Sequence, residues 1–487
     1  MALLDSVDWQ GKIFKNGAWV AGRGGDYAVV EPATGAELGR MGAADTQDVA
    51  EAAAHAAEAQ QAWAALPYTE RAAVLRRAGD LWKQHADEIS GWNIREVGAV
   101  PGMAGFALHT AAEECYEAAS LPGRPLGELL PSEQPRLSMA RRVPAGVVTV
   151  IAPFNVPIIL AIRSVAPALA LGNAVLLKPD PRTAVTGGTL IARIFEEAGL
   201  PAGVLQMLPG GPDVGEALVV DPHVRVISFT GSTAVGRHIG ELAGRHLKRA
   251  HLELGGNSAL LVLDDADVED AVNLAAWGSF FNQGQICMTT GRHLVASAVY
   301  DDFVAALAEK ARSLPVGDPA GGDVALGPII DAGQRDKIHG LVTASAADGA
   351  KVAAGGTYEG LFYRPTVLAD MALTAPAFAQ EVFGPVAPVT RVDSVEDAVR
   401  IAGDSEYGLS LGIVTKDVMH GLEVADRIPT GIVHINDQTV NDEAVAPFGG
   451  VRASGTGSRF GGAAANVEAF TETRWVTVRG ATARYPF

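Results

Sequence analysis

The segment FFNQGQICMTTGR, residues 280–292, places a cysteine inside a turn that is rich in glycine and side-chain amides. A thiol held in such a turn, directly after a helical segment, is suited to act as a nucleophile. The alternative is that Cys287 is a buried structural cysteine, a common state for this residue. The other cysteine of the chain, Cys115, lies in AAEECYEAAS without such surroundings, and we interpret it as structural. Cys287 is therefore the candidate nucleophile.

A carboxylate and an amide occur in settings that could serve this nucleophile. Glu253, in HLELGGNSALLVL, precedes a Gly-Gly pair and an apolar run. An apolar pocket raises the pKa of a carboxylate and suits it to general-base catalysis near neutral pH. Asn155, in IAPFNVP, follows a predicted strand, and its amide could stabilise an oxyanion by about 2.7–4 kcal/mol. The alternatives are a surface or hydrogen-bonded glutamate and an asparagine that caps the next helix.

A third segment, ISFTGSTAVGR at residues 227–237, predicts a strand, a turn and a helix. Its backbone N–H groups and Ser232 could bind a phosphate at the helix N-terminus. It has neither the GxGxxG spacing of a Rossmann loop nor the lysine of a Walker A loop. Alone, it indicates only a possible anion site.

The elements that must position these residues follow a repeated pattern. Amphipathic helices are predicted at 46–65, 69–90 and 104–119, and from residue 146 apolar strands alternate with helices near 157–171 and 183–198. This alternation predicts a parallel sheet covered by helices on both faces. A second α/β stretch begins near residue 255. Residues 135–144 and 473–480 instead alternate polar and apolar residues, as exposed strands do, and such strands often form subunit contacts.

The composition limits the classes of function. A chain of 487 residues with 48% hydrophobic residues and a net charge of −18 is a folded protein of two or three domains that repels nucleic acid and anionic membranes. The uncharged stretch 143–162 could span a bilayer by length, but its prolines and Gly146 favour a buried strand and a turn. Two cysteines and an acidic N-terminus favour a cytoplasmic location. The sequence therefore predicts no nucleic-acid or membrane partner, and no cluster has the spacing of metal ligands.

Seven motifs in one order make the pattern specific, and through them the chain resembles the aldehyde dehydrogenase superfamily over its full length. The motifs are PFNVP with Asn155, LLKP with Lys178, FTGSTAVG with Ser232, LELGG with Glu253, FNQGQIC with Cys287, EVFGPV with Glu381 and Phe383, and PFGGVRASG with Phe448.

The resemblance implies an α/β fold with two doubly wound parallel-sheet domains and a small β-strand oligomerisation arm. The cofactor-binding domain would comprise residues 1–125 and 145–253, and the catalytic domain residues 254–469. The arm would comprise residues 126–144 and 470–487, and a homodimer or homotetramer is expected.

The resemblance also implies the chemistry. Cys287 attacks an aldehyde, the Asn155 amide and the Cys287 backbone N–H hold the oxyanion, and a nicotinamide cofactor takes the hydride. Glu253 then activates the water that hydrolyses the thioester. The residues expected to contact the cofactor are Ala152, Pro153, Phe154, Lys178, Pro179, Asp180, Arg182, Gly211, Thr230, Gly231, Ser232, Leu254, Glu381 and Phe383.

One departure bears on the choice between NAD and NADP. Many NAD-preferring members of the superfamily carry an acid three positions after the lysine, where this chain has Pro181 within KPDPRT. Without that acid a 2′-phosphate is repelled less, and Arg182 could pair with it. Asp180 could replace the missing acid in part. We therefore expect that either nucleotide can serve.

The turns flanking the candidate site carry mostly apolar side chains, namely Phe154, Ile158, Ile159, Ile286, Met288 and Phe448. An apolar pocket excludes charged aldehydes, because nothing compensates their desolvation. The motifs are most similar to those of benzaldehyde and vanillin dehydrogenases, which implies an aromatic aldehyde. A semialdehyde dehydrogenase would need a cation, which Arg163 or Arg292 could supply. A CoA-acylating enzyme usually lacks the base, and a non-catalytic scaffold protein should have lost Cys287.

Overall fold

The computed structural model describes residues 2–486. Its strands are β1 Lys12–Lys15, β2 Ala18–Ala21, β3 Asp26–Val30, β4 Glu37–Gly42, β5 Gly127–Leu129, β6 Leu137–Pro144, β7 Val147–Ile151, β8 Ala174–Lys178, β9 Leu205–Met207, β10 Val224–Thr230, β11 Arg249–Glu253, β12 Ser258–Val262, β13 Thr290–Ala296, β14 Lys351–Ala354, β15 Tyr358–Glu359, β16 Phe362–Tyr363, β17 Thr366–Ala369, β18 Val386–Val392, β19 Ser410–Val414, β20 Ile432–Ile435 and β21 Thr471–Val478.

The α-helices are α1 Thr46–Ala65, α2 Tyr68–Gln84, α3 Ala86–Trp92, α4 Pro101–Ser120, α5 Pro157–Ala170, α6 Leu190–Glu197, α7 Pro212–Val220, α8 Thr233–Arg245, α9 Val268–Phe280, α10 Tyr300–Ser313, α11 Ala332–Ala347, α12 Pro376–Ala379, α13 Val395–Gly403, α14 Val418–Ala425 and α15 Ala463–Phe470.

The first large sheet has the order β11-β10-β7-β8-β9-β1-β2. Its strands β11 to β9 run parallel, whereas β1 and β2 add an antiparallel edge. Thr230 pairs with Glu253, and Ile151 pairs with Lys178. The carboxyl ends of β7, β8, β10 and β11 therefore meet at one edge, which is where parallel α/β sheets bind ligands.

The second sheet has the order β14-β17-β18-β13-β12-β19-β20, with only β14 antiparallel. The two sheets confirm the predicted α/β class with two mainly parallel sheets, and the antiparallel strands at their edges are an addition to it. The chain passes from the first sheet to the second between Glu253 and Ser258. The assignment of whole ranges to a cofactor and a catalytic domain stays a prediction.

A third, smaller sheet is antiparallel and has the order β21-β6-β5. It joins the two segments that the sequence predicted as exposed strands, and β21 pairs with β6 from Thr471 to Val478. Leu129, Trp475 and Val478 are exposed on it. Its predicted role as an oligomerisation arm stays a prediction.

Two helix predictions are wrong in detail. The helix predicted at 69–90 is interrupted at His85 and continues as α3. The helix predicted at 183–198 becomes regular only at Leu190, because residues 185–189 form a π-helical turn that contains two glycines. The buried Glu96 carboxylate accepts hydrogen bonds from the backbone N–H groups of Val185 and Thr186, which favours the irregular turn.

The uncharged stretch 143–162 divides between strand β7 and the beginning of α5. Among residues 2–486, no helix is both long and apolar enough to cross a membrane. All fourteen residues of α5 are buried, so this helix lies inside the protein and connects the first sheet with the candidate site.

Candidate active site

The turn that carries Cys287 is a strained segment held by side-chain amides. Asn282, Gln283 and Gly284 have φ values of 49°, 57° and 64°, in the left-handed region that favours glycine. The Gln283 amide donates to the carbonyl of Gly98 (3.0 Å), and the Gln285 amide oxygen accepts from the N–H of Ile330 (3.1 Å). Strain of this kind persists only where the surroundings fix it, and it is frequent at functional sites.

The two glycines that follow Glu253 and Leu254 allow this turn to approach the first sheet. A Cβ atom on Gly256 would lie 2.2 Å from the carbonyl oxygen of Cys287, and one on Gly255 would lie 2.5 Å from the Glu381 carboxylate. The Gly256 N–H also donates to Glu381 Oε1 (2.9 Å). The Gly-Gly pair is therefore required for the close packing of these three segments.

Asn155 lies between the nucleophile turn and α5. Its side-chain amide donates to the carbonyl of Gln285 (2.8 Å), two residues before Cys287, and its own carbonyl accepts from Asn282 (3.2 Å). The residue at the N-cap position of α5 is Val156, so the alternative that Asn155 caps this helix is wrong. The fixed amide points to the Cys287 segment, as an oxyanion donor requires.

Glu253 ends strand β11 and is 3% exposed, so the alternative of a surface glutamate is wrong. Its Oε2 accepts from the N–H of Gly450 (3.3 Å), and its Oε1 has no hydrogen-bond partner among residues 2–486. Burial raises the pKa of Glu253 to about 8, although Arg163 and Arg459 act in the opposite direction. A carboxylate with this pKa can accept a proton near neutral pH.

The Cys287 side chain is partly accessible from two cavities that meet at it. Burial in the site raises the pKa of the Cys287 thiol to about 12, with Glu381 and Glu253 adding to the effect and Arg163 opposing it. Cys115 is fully buried, and its pKa is also raised by burial. Cys287 is thus the cysteine that a substrate can reach.

The larger cavity has a volume of about 750 Å³ and lies at the carboxyl edge of the first sheet. Every cofactor residue predicted from the sequence borders it except Pro179, whose ring instead packs close to Gly188. Lys178 is 7% exposed, so it is not a surface lysine before a turn, and the Glu381 carboxylate accepts from the Gly256 N–H. Burial lowers the pKa of Lys178, while Asp180 and Asp213 oppose this effect.

This cavity has the groups that a nicotinamide dinucleotide requires. Ser232 is the N-cap of α8, so the first backbone N–H groups of that helix can bind a pyrophosphate. The Lys178 ammonium and the Glu381 carboxylate can bond ribose hydroxyls. The Phe383 ring lies 5.9 Å from that of Phe154, centre to centre, and its φ of 57° is another strained position.

Arg182 borders the same cavity but is already engaged. Its guanidinium donates to both carboxylate oxygens of Asp180 (2.9 Å each) and to Asp331 (2.7 Å), and it lies 4.1 Å above the Phe154 ring. Asp180 and Arg182 therefore neutralise each other near the predicted ribose position. A 2′-phosphate would compete with the two carboxylates for this guanidinium.

The smaller cavity has a volume of about 490 Å³ and shares Asn155, Leu160 and Cys287 with the larger one. All four residues predicted for the substrate pocket, Ile159, Ile286, Met288 and Phe448, border it. Two further apolar residues were expected there incorrectly. Phe154 borders the larger cavity. Ile158 is fully buried in the hydrophobic core that contains strands β7 and β8.

Sequence reasoning missed several residues that border the smaller cavity: Met103, Phe106, Trp277, Phe281, Asn441 and Asp442. Trp277 and Phe281 are four residues apart and their rings stack 4.2 Å apart, a spacing that the sequence offers as a signal. The others come from α4 and from the segment after β20, and no local pattern places them here.

The two arginines considered as carboxylate-binding cations differ in position. Arg292 is buried, borders neither cavity and donates to the carbonyls of Asn257, Ile401 and Ala402, so it does not supply a cation to the substrate cavity. Arg163 does border the smaller cavity, but it forms an ion pair with Asp442. Its charge is therefore already compensated.

The two cavities that meet at Cys287 would bring a bound nucleotide and a mainly apolar substrate together at one thiol. The model of the aldehyde dehydrogenase family matches residues 19–476. A vanillin dehydrogenase of Amycolatopsis sp. is 72% identical over 487 residues, all of both chains, and a benzaldehyde dehydrogenase [NAD(+)] of Pseudomonas putida is 50% identical over 98% of both chains. The crystal structure of a salicylaldehyde dehydrogenase from Pseudomonas putida G7, complexed with salicylaldehyde, has a TM-score of 0.94 at 39% identity and covers 98% of this chain and 99% of that chain. The protein belongs to the aldehyde dehydrogenase family and uses NAD or NADP.

Proposed function

We propose that this enzyme oxidises an aromatic aldehyde to the carboxylic acid through a covalent intermediate on Cys287. The observation that carries the proposal is the smaller cavity, whose walls are mainly aromatic and aliphatic and which ends at Cys287 and Asn155. An aromatic ring fits such walls because it gains apolar contact without losing hydration of a charge. The three relatives described above are named for vanillin, benzaldehyde and salicylaldehyde, all aromatic aldehydes.

In the first half of the reaction, the Cys287 sulfur attacks the aldehyde carbon. The Asn155 side-chain amide and the backbone N–H of Cys287 donate to the oxygen that becomes negative. Because the thiol is neutral near pH 7, its proton must leave as sulfur attacks, and Glu253 is the buried base with a suitable pKa. A bound nicotinamide nucleotide would supply the hydride acceptor, and loss of hydride from the Cys287 adduct would leave a thioester on this cysteine.

In the second half, Glu253 removes a proton from the water that attacks the thioester carbonyl. The Oε1 atom that has no partner within residues 2–486 is free to accept this proton. The same oxyanion donors stabilise the second tetrahedral intermediate. Glu253 must therefore release the thiol proton to solvent before hydrolysis begins. The proton that it then takes from water returns to the Cys287 sulfur as the carbon–sulfur bond breaks, which releases the carboxylic acid and regenerates the thiol.

The larger cavity is proposed to hold the nucleotide. The N-terminus of α8 and Ser232 would bind the pyrophosphate, with Ala152, Pro153, Gly211, Thr230 and Gly231 as backbone walls. Lys178 and Glu381 would bond the ribose hydroxyls, and Leu254 and Phe383 would bound the nicotinamide end. Asp180 and Arg182 would lie near the adenosine ribose and influence the choice between NAD and NADP.

The test follows NADH or NADPH absorbance with benzaldehyde, vanillin, succinate semialdehyde and a short aliphatic aldehyde, with Cys287→Ala as the control. Turnover of the two aromatic aldehydes that is lost in the variant supports the proposal. Preferred turnover of succinate semialdehyde would refute the aromatic substrate class. That result is not expected, because the one arginine or lysine among residues 2–486 that borders the cavity, Arg163, is paired with Asp442.

We also propose a homodimer or homotetramer built on the sheet of β5, β6 and β21. The exposed Leu129, Trp475 and Val478 on this small sheet support an interface, because isolated antiparallel strands with apolar side chains favour pairing. Sedimentation equilibrium of the protein and of Trp475→Glu tests the assembly.

A cytoplasmic location is supported by two free cysteines, Cys115 and Cys287.

A further inference from the structure

The loop between Phe448 and Phe460, here called the base loop, lies against the carboxylate of Glu253. The backbones of Phe448 and Phe460 donate to each other (2.7 and 2.9 Å), which closes the loop. Within it, the N–H of Gly450 donates to Glu253 Oε2 (3.3 Å). Among residues 2–486 this is the one hydrogen bond that reaches the Glu253 carboxylate, so the setting of the carboxylate depends on how the base loop is held.

Arg459 holds the part of the base loop that contains Gly450. Its Nη1 donates to the carbonyls of Gly450 (3.1 Å) and Ser458 (2.9 Å), and its side chain is partly buried. A Cβ atom on Gly449 would lie 2.9 Å from both Cδ and Nη1 of Arg459, so the missing side chain at Gly449 lets the arginine pack on the loop backbone. Gly450 therefore accepts from Arg459 and donates to Glu253, and it is the single residue that links them.

The charge of Arg459 also acts on the Glu253 carboxylate. Burial raises the pKa of Glu253 to about 8, while Arg163 and Arg459 oppose this effect. The two arginines differ, because Arg163 is paired with Asp442, whereas the hydrogen bonds of Arg459 within residues 2–486 go to backbone carbonyls and leave its charge uncompensated. A guanidinium keeps its charge at every pH at which proteins stay folded. Without Arg459, the pKa of Glu253 would be higher and less of the base would be ionised near neutral pH.

The other groups around Glu253 limit what else could titrate. The charged and titratable groups that pack around it are Arg163 of α5, His251 of β11, Cys287 of the nucleophile turn, Glu381 after α12 and Arg459 of the base loop. Burial lowers the pKa of His251 to about 4 and raises that of Cys287 to about 12, so both are neutral from pH 6 to 10. Burial raises the pKa of Glu381 to about 7, so Glu381 titrates in this range as well, and a Glu253→Gln variant distinguishes the two carboxyls.

We propose that Arg459 is a positioning residue for the general base, which keeps the Gly450 N–H on the Glu253 carboxylate and favours its ionised form through an uncompensated charge. The inference rests on the proposed role of Glu253 in thioester hydrolysis. Arg459 borders neither of the two cavities that meet at Cys287, so it has no contact with substrate or nucleotide. Its loss should therefore change the pH at which turnover increases, while the KM for the aldehyde stays within about twofold.

The first test is the pH profile of kcat in Arg459→Met. The midpoint of the increase should move from about pH 8 to about pH 9, because a nearby opposite charge typically lowers a carboxyl pKa by about one unit or more. At pH 7 kcat should then fall by about tenfold, whereas at pH 10 it should stay within about twofold of the wild type. A purely structural defect would lower kcat by the same factor at every pH and leave the midpoint in place, and that result overturns the inference.

Three further variants separate the charge from the fold of the loop. Arg459→Lys keeps the charge and a donor, so its midpoint should stay within about half a unit of the wild type. Arg459→Gln keeps a donor without the charge and should shift as Arg459→Met does. Arg452→Met is the matched control, because this arginine of the base loop donates instead to the carbonyls of Gly403 and Ser405 (2.8 Å each). An equal shift in Arg452→Met, or none in Arg459→Gln, would contradict the proposed effect of the Arg459 charge.

Infrared difference spectroscopy measures the protonation of Glu253 without turnover. The Glu253→Gln variant identifies its band among those of the buried carboxyls Glu96, Glu114 and Glu381, and this band should titrate at higher pH in Arg459→Met and near the wild-type pH in Arg459→Lys. If Glu253→Gln retains wild-type turnover and pH profile, the proposed role of Glu253 fails, and the inference about Arg459 fails with it. If Glu253→Gln abolishes the increase in kcat but Arg459→Met leaves both midpoints unchanged, Glu253 stands as the base and only the role of Arg459 is refuted.

Discussion

The pKa of Glu253 predicts how the rate of thioester hydrolysis depends on pH. Burial raises this pKa to about 8, so only about one tenth of the carboxyl is in its basic form at pH 7 and about nine tenths at pH 9. Where hydrolysis limits turnover, kcat should therefore increase by about ninefold between pH 7 and pH 9 and then level off. A base with an ordinary carboxyl pKa would give a flat profile over this range.

Glu253→Gln removes the base while retaining the shape of the side chain. Loss of a general base costs about 10²–10⁴-fold, so steady-state turnover should fall by that factor and lose its increase with pH. Because Glu253 is also proposed to accept the thiol proton, the burst of NADH seen on rapid mixing should be slowed as well. A burst at the wild-type rate would show that another group accepts the thiol proton.

Glu114→Gln is the matched control for this experiment. Glu114 is buried like Glu253 and its pKa is also raised to about 8, but it does not border either cavity at Cys287. Its replacement should leave the pH profile of kcat unchanged. A flat profile in the wild type, or steady-state turnover in Glu253→Gln within tenfold of the wild type, would refute the assignment of Glu253 as the base.

Three further predictions concern packing, cofactor choice and stability. Gly256→Ala would bring a Cβ within 2.2 Å of the Cys287 carbonyl oxygen, and we expect kcat to fall by about 10²-fold in a protein with unchanged circular dichroism. Asp180→Asn frees part of the Arg182 guanidinium, so kcat/KM for NADP relative to NAD should increase by about tenfold, and an unchanged ratio would contradict this. Because the pKa of Glu114 is raised from 4.5 to about 8 in the folded protein, its stabilising effect is complete below pH 4.5 and is lost as pH rises through about 8. Thermal melting from pH 5 to 9 should therefore decline less steeply in Glu114→Gln than in the wild type, and parallel curves would count against it.

The parts of the site that follow from local sequence were predictable. Lys178 and Thr230 each end an apolar strand, and the carboxyl ends of parallel strands meet at one edge. The alternation of strands and helices therefore places them together without knowledge of tertiary contacts. Ser232 follows in the same way, because a strand, a short turn and a helix put the N-cap residue at that edge.

The ion pair between Arg163 and Asp442, which borders the smaller cavity, could not be predicted in this way. Arg163 and Asp442 are 279 residues apart, and neither lies in a motif that indicates the other. From the sequence, Arg163 is no more than a candidate carboxylate-binding cation beside a pocket of apolar residues. Whether Arg163 offers a free charge to a substrate depends on whether it has an ion-pair partner. That is a property of tertiary packing rather than of the local sequence pattern.

The nucleophile turn shows a different limit. Glycine and amide residues in FNQGQIC indicated a turn, but not that Asn282 and Gln283 adopt left-handed backbone conformations. A non-glycine residue adopts φ > 0 only where other contacts compensate the strain, and here these come from Gly98, Asn155 and residues near 330. Such compensation comes from distant segments, so the local sequence could not reveal it.

The raised pKa values of Cys287 and Glu253 together constrain the order of events in catalysis. Burial raises the pKa of the Cys287 thiol well above that of the Glu253 carboxyl, so moving the thiol proton to Glu253 before substrate binds is unfavourable. A fully formed thiolate is therefore rare before substrate binds. An oxyanion donor such as Asn155 contributes about 2.7–4 kcal/mol, but only once sulfur has begun to attack. Proton transfer and attack on the aldehyde must therefore be coupled, and this keeps the thiol protected when no substrate is present.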